Sequence, residues 1–97
     1  MADLSDEPLN EHELDVLTNE VLIGGSVHFT DHVRMDKFPA EGIDELDCFN
    51  VLRNGWLDFP EEDSGSWTYR IRTQAIVVVI TLLSETELLV ITAWRDP

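Results

Sequence analysis

The strongest structural signal in this chain is the stretch AIVVVITLLSETELLVITAW at residues 75–94. It holds two apolar runs rich in β-branched residues, 75–83 and 87–94, separated only by Ser84, Glu85 and Thr86. Two such runs joined by so short a connection are typical of a β-hairpin, and their apolar content places both strands in the interior of a sheet. If one run lay at the margin of the sheet instead, it could pair with a second subunit, so a homodimer remains an alternative.

A further strand precedes the hairpin, because the hydrophobic period becomes two after Trp56. Trp67, Tyr69 and Ile71 alternate with polar residues, which indicates a strand with one face buried. The segment 60–65, PEEDSG, is acidic and contains proline and glycine. We expect it to be a surface loop between the first two strands.

The first half of the chain carries helix signals. Asn10 and Glu13 form a capping box ahead of an apolar pattern that ends at residues 24–25, both glycine. Asp44 and Asp47 open another helix, which ends at Asn54. Its predicted apolar face consists of Leu46, Phe49 and Leu52.

Residues 26–29 fit a short strand, and Thr30 can cap a brief helix that Pro39 ends. The predicted class is therefore α+β, with two or three N-terminal helices packed on a C-terminal antiparallel sheet. We expect a flexible acidic N-terminus over residues 1–9 and a single domain over residues 10–97.

Charge is distributed unevenly along the chain. Residues 1–63 hold 17 of the 20 Asp and Glu residues but three of the six Lys and Arg residues, and the net charge is −14. Such a surface repels phosphate backbones and attracts basic partners, so direct binding of nucleic acid is disfavoured.

Several function classes find no support in the sequence. The single Cys48 excludes an internal disulfide, and its apolar neighbours indicate a buried, inert thiol. The start lacks a signal-peptide pattern and the longest apolar run is far shorter than the ~20 residues that span a bilayer, so we expect a cytoplasmic protein without membrane contact. His28 and His32 are four residues apart, but a break in the helix between them disfavours a metal pair. We expect neither metal nor cofactor.

Four phrases within residues 26–95 resemble a small prokaryotic family of domains of unknown function. They are HVRM at residues 32–35, DCFNVLRNG at 47–55, WTYRI at 67–71 and SETELLVITAWR at 84–95. Members of that family look like relatives of the MqsR and RelE-like mRNA interferase toxins, and the resemblance implies that some are encoded beside MqsA-type antitoxins. The resemblance implies a RelE/MqsR-like fold, and it makes an antitoxin protein an alternative partner.

The toxin alternative would be a metal-independent endoribonuclease. RNA cleavage through the 2′-hydroxyl needs a proton acceptor, a proton donor and cations that hold the phosphate. The residues that could fill these roles are His32, Tyr69, Arg70, Arg72 and Arg95. Alternating arginines on a strand are more often a solvated surface, and the net charge opposes RNA binding.

The acids support a different function. A predicted partner-binding surface combines acidic side chains around two loops and a helix start with one tryptophan. Its members are Glu41, Asp44, Glu45, Trp56, Asp58, Glu61, Glu62 and Asp63. Acids spaced on a surface can imitate phosphates and occupy the groove of a nucleic-acid-binding complex. We therefore predict a non-enzymatic, DNA-mimicking inhibitor, for example a phage-borne anti-defence protein.

Overall fold

A computed structural model describes residues 8–63 and 65–96 of the chain. It confirms the α+β class, with three α-helices, a π-helix and a five-stranded mixed sheet. The helices are α1 (Glu11–Gly24), a π-helix (Val33–Lys37), α2 (Phe38–Glu41) and α3 (Glu45–Asn54). The strands are β1 (Ser26–Phe29), β2 (Trp56–Asp63), β3 (Ser66–Arg72), β4 (Ile76–Leu82) and β5 (Glu87–Arg95). None of the helices in the described ranges is both long and apolar enough to cross a membrane.

The strand order is β1-β5-β4-β3-β2. Strands β2 to β5 form an antiparallel meander, and the predicted hairpin of β4 and β5 in the interior of the sheet is confirmed. The prediction of an antiparallel sheet was wrong for one pair of strands, because β1 pairs in parallel with β5. The margins of the sheet are β1 and β2, so both strands of the hairpin lie inside it, with β1 covering Glu87–Val90 of β5.

Both predicted capping boxes are present. The Asn10 side chain accepts a hydrogen bond from the Glu13 N–H at 2.8 Å, and the Glu13 carboxylate accepts one from the Asn10 N–H at 3.1 Å. Asp44 and Asp47 exchange the same pair of bonds at the start of α3. These contacts satisfy N–H groups that have no partner within the helix.

The predicted end of the second helix at Pro39 was wrong. Pro39 lies inside the first turn of α2, directly after the π-helix. Proline has no N–H and its ring collides with the carbonyl four residues earlier in a regular α-helix. The wider π-turn, in which the Phe38 N–H bonds to the Val33 carbonyl, precedes this point and lets the chain continue to Glu41.

The predicted acidic loop at residues 60–65 was also wrong, because residues 60–63 belong to β2 and pair with β3. Pro60 is tolerated there since β2 is an edge strand. A register shift between Leu57 and Phe59 marks a β-bulge in the same strand. Proline, charge and a bulge are features that prevent an exposed edge from pairing with other chains.

The core joins alternate strand residues to the helices. Tyr69, Ile71, Val78 and Ile80 belong to one buried cluster with residues of α1 and α3. Leu9, directly before the predicted start of the domain at residue 10, is part of this cluster. The predicted flexible segment otherwise lies mainly outside the described residues.

The predicted apolar face of α3 needs correction too. Cys48, Val51 and Leu52 are the buried residues of this helix, whereas the Leu46 side chain is 73% exposed.

The other side of the sheet, which we call the open face, has no residue in the core cluster. Cross-strand pairing defines it as the side on which Arg70 lies opposite both Phe59 and Val79. Its main residues are His28, Trp56, Phe59, Glu61, Thr68, Arg70, Arg72, Val77, Val79, Thr81, Glu87, Leu89, Thr92 and Trp94.

Candidate functional site

The predicted partner-binding acids near α2 and α3 already have partners within the chain. A Glu41 carboxylate oxygen accepts a hydrogen bond from the Arg95 backbone N–H at 2.8 Å. Asp44 caps α3, and Glu45 lies 3.3 Å from the Arg34 guanidinium. These carboxylates hold the junction between α2, α3 and the end of β5 together.

The acids of β2 are more exposed. Asp58, Glu61 and Glu62 are exposed on the edge strand, and no ion pair involves them within residues 8–63 and 65–96. Glu61 lies opposite Thr68 and therefore on the open face, whereas Glu62 lies opposite Trp67 on the other side. Asp63 ends the strand, and its side chain lies outside what the structure describes.

The two acidic groups do not form one surface. Cross-strand pairing places Glu61 level with Leu89 on β5, whereas Glu41 binds Arg95. Leu89 and Arg95 are about 20 Å apart along β5, and Glu61 is three strands, or about 14 Å, away across the sheet. A partner that binds one group therefore needs a separate surface to reach the other.

Trp56 has the exposure that the sequence analysis predicted. Trp56 is 44% exposed at the start of β2, and Phe59 on the same strand is 41% exposed. Exposed aromatic side chains beside carboxylates are a composition found at protein interfaces.

The structure does not bring the five candidate catalytic residues together. Tyr69 is 2% exposed in the core, and its hydroxyl accepts a hydrogen bond from the Leu9 N–H at 3.0 Å. Burial raises the pKa of Tyr69, an effect that the Leu9 hydrogen bond partly offsets and the Glu13 carboxylate adds to. Arg70 and Arg72 extend from the opposite side of the same strand.

The arginines are engaged in three different environments. The Arg70 guanidinium lies over the rings of Phe59 and Trp94, at 4.6 and 5.2 Å from their centroids. Arg72 forms an ion pair with Asp96. Arg95 donates hydrogen bonds from its guanidinium to the carbonyls of Glu41 and Gly42, which end α2.

His32 lies at the margin of the open face. Its Nε2 is 3.5 Å from the Thr92 hydroxyl, and its Nδ1 is 3.4 Å from the Asp36 carboxylate. His28 on β1 lies on the open face too, opposite Leu89, and its Nε2 is 3.0 Å from the Glu87 carboxylate. Among the residues whose positions are described, no three His, Cys, Asp or Glu side chains are grouped as metal ligands.

Cys48 is fully buried in the first half of α3. Burial raises its pKa to about 12, and the carboxylates of Asp47, Asp44 and Glu45 add to the shift. A thiol in this environment stays protonated and is a poor nucleophile near neutral pH.

The sequence analysis missed two surfaces. The first is the outer side of α1, where Glu11, Asp15 and Glu20 are exposed and Ile23 is 88% exposed. The acids of this helix are visible in the sequence, whereas no residue pattern marks Ile23 as exposed.

The second is a groove of about 430 Å³ between α1 and α3, with β1 beside it. Its lining residues are Val21, Leu22, Gly25, Val27, Leu46, Phe49, Asn50 and Arg53. Leu46, which was predicted to belong to the buried face of α3, is exposed and lines this groove.

No protein-family model, curated protein or solved structure matches this chain. The resemblance to RelE/MqsR-like toxins therefore stays a prediction.

Proposed function

We propose that this protein is a non-enzymatic interaction protein that binds a basic protein surface through the acids of β2. The partner class is a nucleic-acid-binding complex, whose Lys and Arg side chains the carboxylates would occupy in place of phosphates. The scaffold we propose for it is a RelE/MqsR-like layer of helices on a sheet. The common burial of α1, α3 and alternate strand residues in one cluster supports that arrangement.

One observation carries the proposal: most cations of this chain are engaged internally, whereas the β2 acids are exposed. Arg34, Arg72 and Arg95 contact carboxylates or carbonyls, and Arg70 lies over two aromatic rings. Exposed carboxylates that form no ion pair within the described residues project their field into solvent and accelerate association with a positive surface.

Glu41, Asp44 and Glu45 have a smaller part in this proposal than the sequence indicated. Each already contributes to the junction of α2, α3 and β5, so binding a partner would require giving up an internal contact. Asp58 and Glu62 lose no such contact within the described part of the chain and are the better candidates.

The test is capture of proteins from host lysate by the tagged chain at low and high salt, followed by addition of duplex DNA. We expect a basic nucleic-acid-binding complex to be retained at low salt, released at high salt and displaced by DNA. Asp58→Lys/Glu62→Lys should reduce its capture at least ~tenfold, because like charges then face each other.

Asp15→Lys/Glu20→Lys is the matched control, since it changes the net charge equally on the exposed side of α1. If this variant weakens capture as much as Asp58→Lys/Glu62→Lys does, overall charge rather than the β2 surface drives binding. Unchanged capture by the β2 variant would refute the proposal.

A second candidate function is the endoribonuclease activity of an mRNA interferase-like toxin. One observation favours it: His32 reaches Thr92 at the margin of the face that carries Arg70. The buried Tyr69 and the separately engaged Arg95 count against it. Purified protein that degrades RNA, with loss of cleavage in His32→Ala and Arg70→Ala but not in Arg53→Ala, would establish this function in place of the first.

A further inference from the structure

The open face has a small apolar layer of its own. Val77 is only 1% exposed and yet lies outside the core cluster. Its cross-strand neighbours on the same face are Arg72 and Trp94, whose large side chains flank it. The open face is therefore built to exclude water around Val77, which a purely solvated sheet surface does not require.

Aromatic and aliphatic side chains continue this layer across several strands. Trp56 and Phe59 on β2 are exposed, whereas Val79 on β4 and Leu89 and Trp94 on β5 are half-buried. Large exposed apolar patches on small domains mark interaction surfaces. Tryptophan and arginine are also the residues that most often dominate binding energy at protein interfaces.

The charges on the open face are of both signs. Arg70 lies between Phe59 and Trp94 and forms no ion pair with any carboxylate of the described residues. Glu61 is its diagonal neighbour on the adjacent strand. The backbone positions of such neighbours are about 7–8 Å apart on one face of a sheet. An arginine and a glutamate placed side by side are complementary to the same pair after a rotation of 180°.

We propose that the open face binds the open face of a second copy of this chain in a two-fold symmetric dimer. Arg70 of each copy pairs with Glu61 of the other, and the rings of Phe59 and Trp94 pack at the centre. A two-fold contact uses the same patch on both subunits, which requires this kind of self-complementarity. Two sheets packed face to face lie about 10 Å apart, a spacing that side chains from both faces fill.

The size of the open face suits a weak, reversible dimer, because its flat area lies below the value for stable interfaces. Five strands of about seven residues give a flat area of roughly 500 Å², and side chains raise the accessible area above this value. Stable interfaces bury about 800 Å² on each partner. Among the described residues, the groove between α1 and α3 has Arg53 as its one charged lining residue and so lacks such a pair of charges.

This inference does not depend on the proposed function. Glu62 lies on the other side of β2, away from the second copy, and Asp58 lies in the bulge of this edge strand. The dimer would bring two acidic edges into one particle, and bivalent binding strengthens attachment to an extended basic surface.

The experiment is sedimentation velocity of the purified full chain over a range of concentrations at about 0.15 M salt, where long-range repulsion is screened. We expect a concentration-dependent species of twice the 11.1 kDa chain mass. Arg70→Glu and Glu61→Arg should each raise the dissociation constant at least ~tenfold, because each sets two like charges against each other.

An equimolar mixture of the two variants should recover the dimer. In the mixed pair, the glutamate introduced at position 70 of one chain faces the arginine introduced at position 61 of the other, and the second contact keeps the original Arg70 and Glu61. Glu62→Arg is the matched control on the opposite side of the strand and should dimerise as the parent chain does. Circular dichroism confirms folding, and the exposed Glu61 keeps the test valid even if Arg70→Glu does not fold.

A parent chain that stays monomeric up to its solubility limit would overturn the inference. A dimer that survives Glu61→Arg unchanged would also overturn it, since the contact would then lie elsewhere on the molecule.

Discussion

At the scale of single residues, burial sets the chemistry of Cys48 and Tyr69. Both side chains lie in the core, and both have a pKa above its ordinary value because the charged form would lose its hydration. Neither residue can therefore serve as a base or nucleophile near neutral pH. The two groups also make the fold sensitive to alkali, because unfolding allows them to ionise and stability falls as pH rises above about 9.

We predict that Cys48 reacts with iodoacetamide at pH 8 about a thousandfold or more slowly in the folded chain than in urea. The pKa of about 12 leaves very little thiolate at this pH, whereas an unfolded cysteine with a pKa near 8.5 is about one quarter ionised. Mass spectrometry of timed, acid-quenched samples measures both rates. Comparable rates in the two states would show that the thiol is accessible, and Cys48→Ser is the blank.

At the scale of elements, close backbone contacts fix where helices meet strands. Gly25 follows α1, and a Cβ built on it would lie 2.2 Å from the Thr86 carbonyl oxygen. Gly24 precedes it by one residue, and a Cβ there has no atom within 4 Å. The adjacent glycines therefore have different roles: one permits close approach of β1 to the β4–β5 turn, and the other is replaceable.

We predict that Gly25→Ala lowers the free energy of unfolding by about 1–3 kcal/mol or more, because backbone atoms must shift to admit the methyl group. Gly24→Ala should leave it unchanged or raise it slightly, since alanine is the better helix former. Urea denaturation followed by circular dichroism compares the two variants with the parent. Equal effects of the two substitutions would show that the close contact with Thr86 is not a constraint.

Local signals allowed α1, α3 and the β4–β5 hairpin to be predicted. Each capping box involves residues three positions apart, so its effect can be judged from a short segment. Pro39 was misjudged because the preceding π-turn depends on packing of Val33 in the core. Residues 60–63 were assigned to a loop because acidity and proline are typical of loops, whereas their pairing with β3 decides their conformation.

The candidate site was less predictable than the fold. Exposure of Trp56 could be anticipated from its position after a helix end, but the partners of Glu41 and Glu45 could not. Arg95 and Arg34 are distant in sequence from the acids they contact. The separation of the acidic groups follows from strand order, which the sequence leaves open.

At the scale of the whole molecule, the net charge of −14 acts on every folded conformation. Self-repulsion among carboxylates destabilises a compact state, and salt screens it beyond about 10 Å at 0.1 M. Four of the six Lys and Arg side chains already make internal contacts. Few cations therefore remain to offset the repulsion among the other carboxylates.

We predict that the melting temperature rises by several degrees between about 10 mM and 300 mM sodium chloride, because salt weakens this repulsion. Differential scanning calorimetry at fixed pH and low protein concentration measures it. Asp15→Lys/Glu20→Lys, which brings the net charge closer to zero, should show a smaller rise. A melting temperature that falls with salt would mean that internal ion pairs outweigh the repulsion.

The parallel pairing of β1 with β5 has a consequence for how the protein is made. Ser26 faces Glu87, so the two strands are about 60 residues apart in the chain. At synthesis rates of about 5–20 residues per second, β1 leaves the ribosome several seconds before its partner. During that interval α1 and β1 lack β5, the strand that completes their side of the sheet. Nascent chains of this protein are therefore exposed to chaperones and proteases until β5 has been synthesised and has left the ribosome.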